Sequence, residues 1–408
     1  MMKQAREFPA FTVTPKAARS LAAGHPWVYA EEVLDAQPCE NGALADVFSQ
    51  KGSWLGTGLV SLQSKIRVRV LSRNANDVFD ESFWRRRLRY AWEYRKAVMG
   101  PDVSNCRIIF GEADQFPGLT VDRYGTLLSA QVLSVGMERL KHTLFPALVQ
   151  MLRADGQDIR GLYERNDVAL REKEGLAQYK GWYDLSALGL PLPGTPLAHI
   201  CENGIHYTVD VENGQKTGFF LDQKYNRRAV AALARGRTVL DCFTHTGSFA
   251  LNAAKGGAVK VTAVDVSEAA CAMARRNAEE NGLSGVMQCV AADVFELLPT
   301  LSKGSYDFII LDPPAFTKAR KTLRNALRGY KEINTRAMRL LPRGGYLATC
   351  SCSHFATQEE FCKMLAAAAA DAGVQLRQIA ARQQAPDHPI LWNVPETDYL
   401  KFYLFQVV

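Results

Sequence analysis

The chain has 408 residues, with 49 Lys+Arg against 42 Asp+Glu, a formal net charge of +7, and 47% hydrophobic content. That length predicts two or three domains, because one core rarely grows past ~250–300 residues, and the composition excludes wholesale disorder. No run approaches the ~18 apolar residues of a membrane span. The N-terminal MMKQAREFPAF lacks an apolar signal core, and nine irregularly spaced cysteines fit reduced thiols in a cytoplasmic chain better than a disulfide framework.

Residues 1–75 read as short strands. Phe11-Thr12-Val13 leads in, 42–48 alternates, 54–60 is broken by glycine, and Ile66-Arg67-Val68-Arg69-Val70-Leu71 alternates apolar with basic. With a short helix near 15–21, this predicts a small β-barrel. Over 77–99 the period becomes helical, with Phe83, Trp84, Leu88, Ala91, Trp92 and Val98 as the apolar stripe. Arg85, Arg86, Arg87, Arg89, Arg95 and Lys96 lie off that stripe, and the ordinary reading of most is a solvated helix face. Residues 106–195 predict an α+β region: 107–110 and 127–133 are strand-like and 137–153 is helical. Pro191, Pro193, Gly194 and Pro196 mark a linker.

From about 236 the pattern is βαβαβ. Strands at 238–241, 260–265, 287–291, 306–311 and 345–350 alternate with helices at 248–255, 268–282 and 358–372, and two strands close the chain. Such alternation implies a doubly wound parallel sheet, which binds ligands at the carboxyl ends of its strands. Three successive strands end in acids: Asp241, Asp265 and Asp293. Asp265 suits ribose hydroxyls, Asp293 an adenine amino group, and the turn Phe243-Thr244-His245-Thr246-Gly247-Ser248 lets a cofactor approach the backbone at Gly247. This is the pattern of an S-adenosylmethionine site. A nicotinamide cofactor would want G-x-G-x-x-G for its pyrophosphate, and only Gly247 is present.

The fourth strand ends in Asp312-Pro313-Pro314-Ala315-Phe316. The prolines stiffen the loop, and Phe316 suits stacking on a planar base. The motif resembles the (D/N)PP(F/Y) signature of amino-group methyltransferases, so methylation of guanine N2 or adenine N6 is the alternative chemistry. The fifth strand ends in Thr349-Cys350-Ser351-Cys352-Ser353-His354. Zinc wants four ligands, and no second pair is visible. Cys39, Cys106, Cys201, Cys242, Cys271, Cys289 and Cys362 read as inert thiols. A thiol at this strand end, beside a methyl donor, reads as a nucleophile: addition to carbon 6 of cytosine makes carbon 5 enamine-like and open to methylation. Asp312 would hold the base edge and help activate the ring.

Together, GQKTGFFLDQ at 214–223, VLDCFTHTGSF, LDPPAF, GYKEIN and TCSCSH resemble the large-subunit (23S) ribosomal RNA methyltransferases of the cytosine-5 kind. GHPWVYAEEV, IRVRVL, ERNDVALREKEGL, DHP and TDYLK extend the resemblance over nearly the whole chain. It implies an N-terminal PUA-like RNA-binding domain (1–75), a small α+β middle domain (76–195) and a Rossmann-like class I methyltransferase domain (196–408). It also implies Phe220, Asp241, Phe243, Gly247, Ser248, Asp265, Asp293 and Asp312 at S-adenosylmethionine, Pro313, Pro314 and Phe316 at the base, and ribosomal RNA as partner. Relatives of this kind suggest a homodimer, and neither membrane nor metal is implied. Two-cysteine RNA cytosine-5 methyltransferases carry a cysteine where Ala315 stands, so the one-cysteine type is expected. The SCS element maps onto Ser351-Cys352-Ser353, giving Cys352 as nucleophile and Cys350 as structural. A non-catalytic RNA-binding assembly factor is a third reading.

Between 317 and 343 lie nine basic residues and one acid, Glu332, a local excess greater than that of the whole chain. Lys318, Arg320, Lys321, Arg324 and Arg328 directly follow the expected base pocket and are assigned to RNA phosphates, with Lys65, Arg67 and Arg69 added from the barrel.

Overall fold

A computed structural model describes residues 8–317 and 319–408. Lys318 therefore lies outside the described residues. The chain divides into two compact units. One holds residues up to Ile200 with Val209–Leu221 and Pro386–Thr397; the other holds Cys201–Thr208, Asp222–Ala385 and Asp398–Val408.

The first unit opens with β1 (Ala10–Val13), α1 (Pro15–Ala22), β2 (Trp27–Tyr29), β3 (Val33–Ala36), β4 (Leu44–Ser49), β5 (Trp54–Val60) and β6 (Ile66–Ser72). The strands form one sheet, β2-β6-β5-β4-β1-β3, curled into a half-barrel. Thr14 caps α1 through the Ala17 N–H, and Pro15 presets its first turn. Its Ala17 and Leu21 pack on Phe11, Val13, Val28, Val47 and Val68.

A second sheet, β11-β10-β9-β8-β7, is built from β7 (Asn105–Phe110), β8 (Leu119–Tyr124), β9 (Leu127–Val132), β10 (Gly161–Asn166) and β11 (Tyr179–Trp182). Helices α2 (Glu81–Met99) and α3 (Val135–Ala154) belong to the same unit. Every residue of β10 is buried, although its sequence is GLYERN. Glu164 survives there because Lys141 reaches it at 3.0 Å and Tyr179 donates to it at 2.6 Å. Such pairing is what lets charge enter an interior.

Two expectations about arginines are corrected. The alternation in β6 put Arg69 on an RNA-facing surface, but it is 8% exposed and paired with Glu174 at 2.7 Å. Arg87 and Arg95 are likewise not on a solvated face. Arg87 donates to the Leu71 and Gln115 carbonyls, and Arg95 forks onto Asp114 at 2.5 and 2.7 Å. Arg85, Arg86 and Arg89 are exposed, as expected.

After the hairpin strands β12 (Leu197–Glu202) and β13 (Ile205–Asp210) come α4 (Lys224–Ala231), β14 (Thr238–Cys242), α5 (Ser248–Lys255), β15 (Lys260–Asp265), α6 (Glu268–Glu280), β16 (Met287–Ala291), α7 (Val294–Leu297), β17 (Phe308–Leu311), α8 (Leu323–Leu340), β18 (Tyr346–Ser351), α9 (Gln358–Ala372), β19 (Leu376–Arg382) and β20 (Lys401–Val407). The sheet order is β16-β15-β14-β17-β18-β20-β19. Strands β14 to β18 pair in parallel, while β20 runs antiparallel between β18 and β19. The winding reverses between β14 and β17, the position where open α/β sheets leave a crevice.

Arg227 of α4 is fully buried in the second unit. Its fork meets both oxygens of Glu202, also fully buried, at 2.7 and 2.9 Å. Glu202→Gln keeps the shape but removes the carboxylate charge that meets the guanidinium. Urea unfolding of that variant should show a loss of about 3–5 kcal/mol for the second unit.

Candidate active site

At the end of β14 the Asp241 carboxylate is fully buried. Its Oδ2 accepts from the Thr244 hydroxyl at 2.5 Å and the Ala250 N–H at 2.9 Å, while Oδ1 has no partner among the described residues. Burial pushes this carboxyl up to about 7; the Thr244 bond opposes the shift and the Asp312 charge adds to it. Phe243 and His245 hold positive φ of 65° and 52°, and Gly247 follows at 84°. Two non-glycine residues in that region within one turn mark backbone held by its surroundings. A Cβ on Gly247 would meet Met287 Cε at 2.9 Å and Ala274 Cβ at 3.0 Å. Glycine is therefore required both for the conformation and for the packing of α5 on α6 and β16.

Asp265 at the end of β15 organises the same turn. Its Oδ2 accepts the His245 N–H and its Oδ1 the Ser267 N–H, both at 2.9 Å. Each oxygen keeps a lone pair for a further donor. Asp293 is exposed and caps α7 through the Phe295 N–H at 2.7 Å. Ser248 begins α5 and accepts from Arg227 Nη1 at 3.4 Å. Phe220 belongs to the first unit, where the Lys216 ammonium sits over its ring.

Asp312 follows β17. Gln223 Nε2 donates to its Oδ1 at 3.0 Å, and the Cys350 thiol hydrogen-bonds it. Gln223 is itself held by Asn226 at 2.7 Å, and Asn226 by Arg382 at 3.1 Å. Burial, with the Asp222 charge, pushes Asp312 up to about 7. Cys350 lies in β18, fully buried. Burial and the adjacent Asp312 charge raise its thiol well above the ordinary range.

Cys352 lies just past the strand, partly exposed, and its thiol points to the Pro313 carbonyl at 3.9 Å. Pro313 is buried and Pro314 exposed. Phe316 packs against Tyr330 with ring centroids 4.6 Å apart and lies 6.5 Å from Phe243. The structure thus gathers Asp241, Asp265, Asp312, Pro313, Phe316 and Cys352 around one end of the sheet.

Arg320, Lys321, Arg324 and Arg328 are exposed before and along the first half of α8. Farther along, Lys331 pairs with Asp371 and Arg336 with Glu332, each at 2.7 Å. Lys65, just before β6, is exposed, while Arg67 of β6 donates to the Ser61 and Leu62 carbonyls. Gln223 and Lys401 escaped the sequence reading as site residues. Both sit in quoted motifs, GQKTGFFLDQ and TDYLK, but only the fold shows what they touch. Among the described residues no group of three or more His, Cys, Asp or Glu is arranged to hold a metal ion.

Residues 179–405 match the family described as S-adenosylmethionine-dependent methyltransferase, and residues 11–73 match a PUA-like domain. The chain is 40% identical over 389 residues to a ribosomal RNA large subunit methyltransferase I of Aeromonas salmonicida, covering 94% of this chain and 95% of that one. Its counterpart in Klebsiella pneumoniae is 38% identical, covering 98% and 99%. Among solved structures, a putative S-adenosylmethionine-dependent methyltransferase from Streptococcus mutans superposes with a TM-score of 0.81 at 22% identity, over 98% of this chain and 100% of that one. That likeness shows the shared fold. The chain belongs to the S-adenosylmethionine-dependent methyltransferases, in the family of the ribosomal RNA large subunit methyltransferases I.

Proposed function

We propose that the protein methylates carbon 5 of a cytosine in large-subunit (23S) ribosomal RNA, in the bacterial cytoplasm, through a covalent adduct with Cys352. The observation that carries this reading is the placement of Cys352 beyond the end of β18, its thiol directed at the Asp312-Pro313-Pro314 loop.

The site fits S-adenosylmethionine. The unpartnered, buried Asp241 Oδ1 is an acceptor that a cationic ammonium would satisfy. Asp265 has lone pairs left for ribose hydroxyls, Asp293 is open to an adenine amino group, and Phe243, Gly247 and Ser248 line the turn between them. When bound, S-adenosylmethionine supplies an electrophilic methyl group.

The protein's own groups prepare the base. The cytosine must leave its stack to enter the pocket, with Pro313, Pro314 and Phe316 shaping the slot. The Cys352 thiolate adds to carbon 6, and negative charge builds toward ring nitrogen 3. Asp312, poised near 7, is able to donate a proton or hydrogen bond there. Carbon 5 then has enamine character. After methylation, loss of its proton expels the thiolate. Position inside the strand, burial and the adjacent Asp312 charge all disfavour a Cys350 thiolate and so support Cys352 over Cys350 for this role. The exposed Arg320, Lys321, Arg324 and Arg328, with Lys65, would hold the RNA backbone. We infer that 1–75 is the RNA-binding module, 76–195 the middle domain and 196–408 the methyltransferase domain.

Asp265→Ala should weaken S-adenosylmethionine binding by roughly 1.5–3 kcal/mol, the scale of hydrogen bonds to a charged group, as read by titration calorimetry. An ammonium bound at Asp241 favours its ionised form. Cofactor affinity should therefore rise as pH increases toward about 7 and fall again where the ligand's α-ammonium loses its own proton, at about 7.7–8.0. Asp241→Asn should flatten that dependence; a curve unchanged in the variant would remove Asp241 from the site. Cys352→Ala should abolish methyl transfer while sparing cofactor binding, and Cys350→Ala should stay active. RNA carrying 5-fluorocytosine should trap a covalent protein–RNA adduct, seen as a denaturant-resistant band. An adduct that persists in Cys352→Ala and vanishes in Cys350→Ala would reverse the two thiols. Methylation found on an exocyclic amino group, with no adduct, would overturn the cytosine-5 reading.

A further inference from the structure

Lys401 is the first residue of β20 and the cross-strand partner of Ser351, one residue before Cys352. It is 6% exposed. Its ammonium donates to the Ser353 carbonyl at 2.7 Å and the Tyr399 carbonyl at 2.9 Å. Both acceptors are neutral, so these bonds orient the charge without cancelling it. Ser353 is held from its other side as well, its hydroxyl 2.9 Å from that of Tyr330.

We propose that Lys401 is a positioning residue for the reaction: it clamps the turn that carries Cys352 and places a buried positive charge beside that thiol. This rests on Cys352 being the nucleophile. A buried cation next to a thiol favours the thiolate, the form that attacks. The groups facing the ammonium are Cys352 on the turn after β18, Asp398 on the loop before β20, and Glu360 on α9. Burial lowers the lysine to about 8, and all three neighbours oppose that shift. At neutral pH the lysine is mostly charged, and the help it gives Cys352 fades as pH rises through 8. Tyr330 and Cys350 also face the Cys352 thiol. Neither carries positive charge, whereas Lys401 does.

The test is alkylation of the full-length protein by iodoacetamide between pH 6 and 9, with the Cys352 peptide quantified by mass spectrometry. Lys401→Met should slow Cys352 alkylation at pH 7 about ten-fold and raise its midpoint by about one pH unit. Lys401→Arg, which keeps the charge, should restore most of the rate. A folded Lys401→Met protein with an unchanged midpoint would overturn the proposal. Should that variant fail to fold, Lys401→Arg decides, because its guanidinium stays charged throughout this range: its Cys352 midpoint should lie at or below the native one, and a midpoint raised by about one pH unit would overturn the proposal. Alkylation reads the thiol without methyl transfer, so failure of Cys352 as nucleophile would appear separately, as activity retained in Cys352→Ala.

Discussion

The parallel pairing of β14, β17 and β18 sets the geometry on which the rest of the site depends. Its register places Cys242 opposite Leu311 and Leu311 opposite Thr349. The residues that follow, Phe243, Asp312 and Cys350, therefore lie at one level, with Cys350 still paired to Phe402 of β20. Three neighbouring strands deliver polar groups to the same small, poorly solvated volume, where each needs a partner. The turn into α5 satisfies one oxygen of Asp241, and the series Arg382, Asn226 and Gln223 ends on Asp312. Much of the local structure follows from holding one buried and one half-buried carboxyl steady.

The same constraint separates the two thiols. Cys350 sits where the strand is still paired, against a carboxyl that titrates near neutrality, and its ionisation is disfavoured both by burial and by that neighbour. Two residues later the chain has left the ladder. Cys352 has a carbonyl on one side and the Lys401 clamp close by. Chemical identity is equal at the two positions; strand pairing and neighbouring charge make them different.

Charge along α8 divides in a comparable way. Toward its C-terminal half, Lys331 and Arg336 are neutralised within the fold, while Arg320, Lys321, Arg324 and Arg328, nearer the Asp312 loop, face solvent. The cations suited to phosphate are thus those nearest the proposed base pocket. Arg69, Arg87 and Arg95 in the first unit show the opposite use of the same side chain, as buried forks that satisfy carboxylates and carbonyls.

Much of the second unit was legible by itself in the sequence. Helices at 248–255 and 358–372 were placed to the residue, because strand and helix periods alternate cleanly there and apolar runs end in acids. The acids, the proline pair and the SCS element announced themselves because strand-end chemistry is local. What the sequence could not reveal depends on partners distant in the chain. GLYERN hides a buried strand because its charges are met by Lys141 and Tyr179. Arg69 looked like a surface cation because Glu174 lies 105 positions away. Gln223 and Lys401 gain their meaning only where Asp312 and Ser353 come to meet them. Periodicity reports which face of an element avoids water; which charge meets which, and hence which proton moves, was decided only when the chain closed on itself.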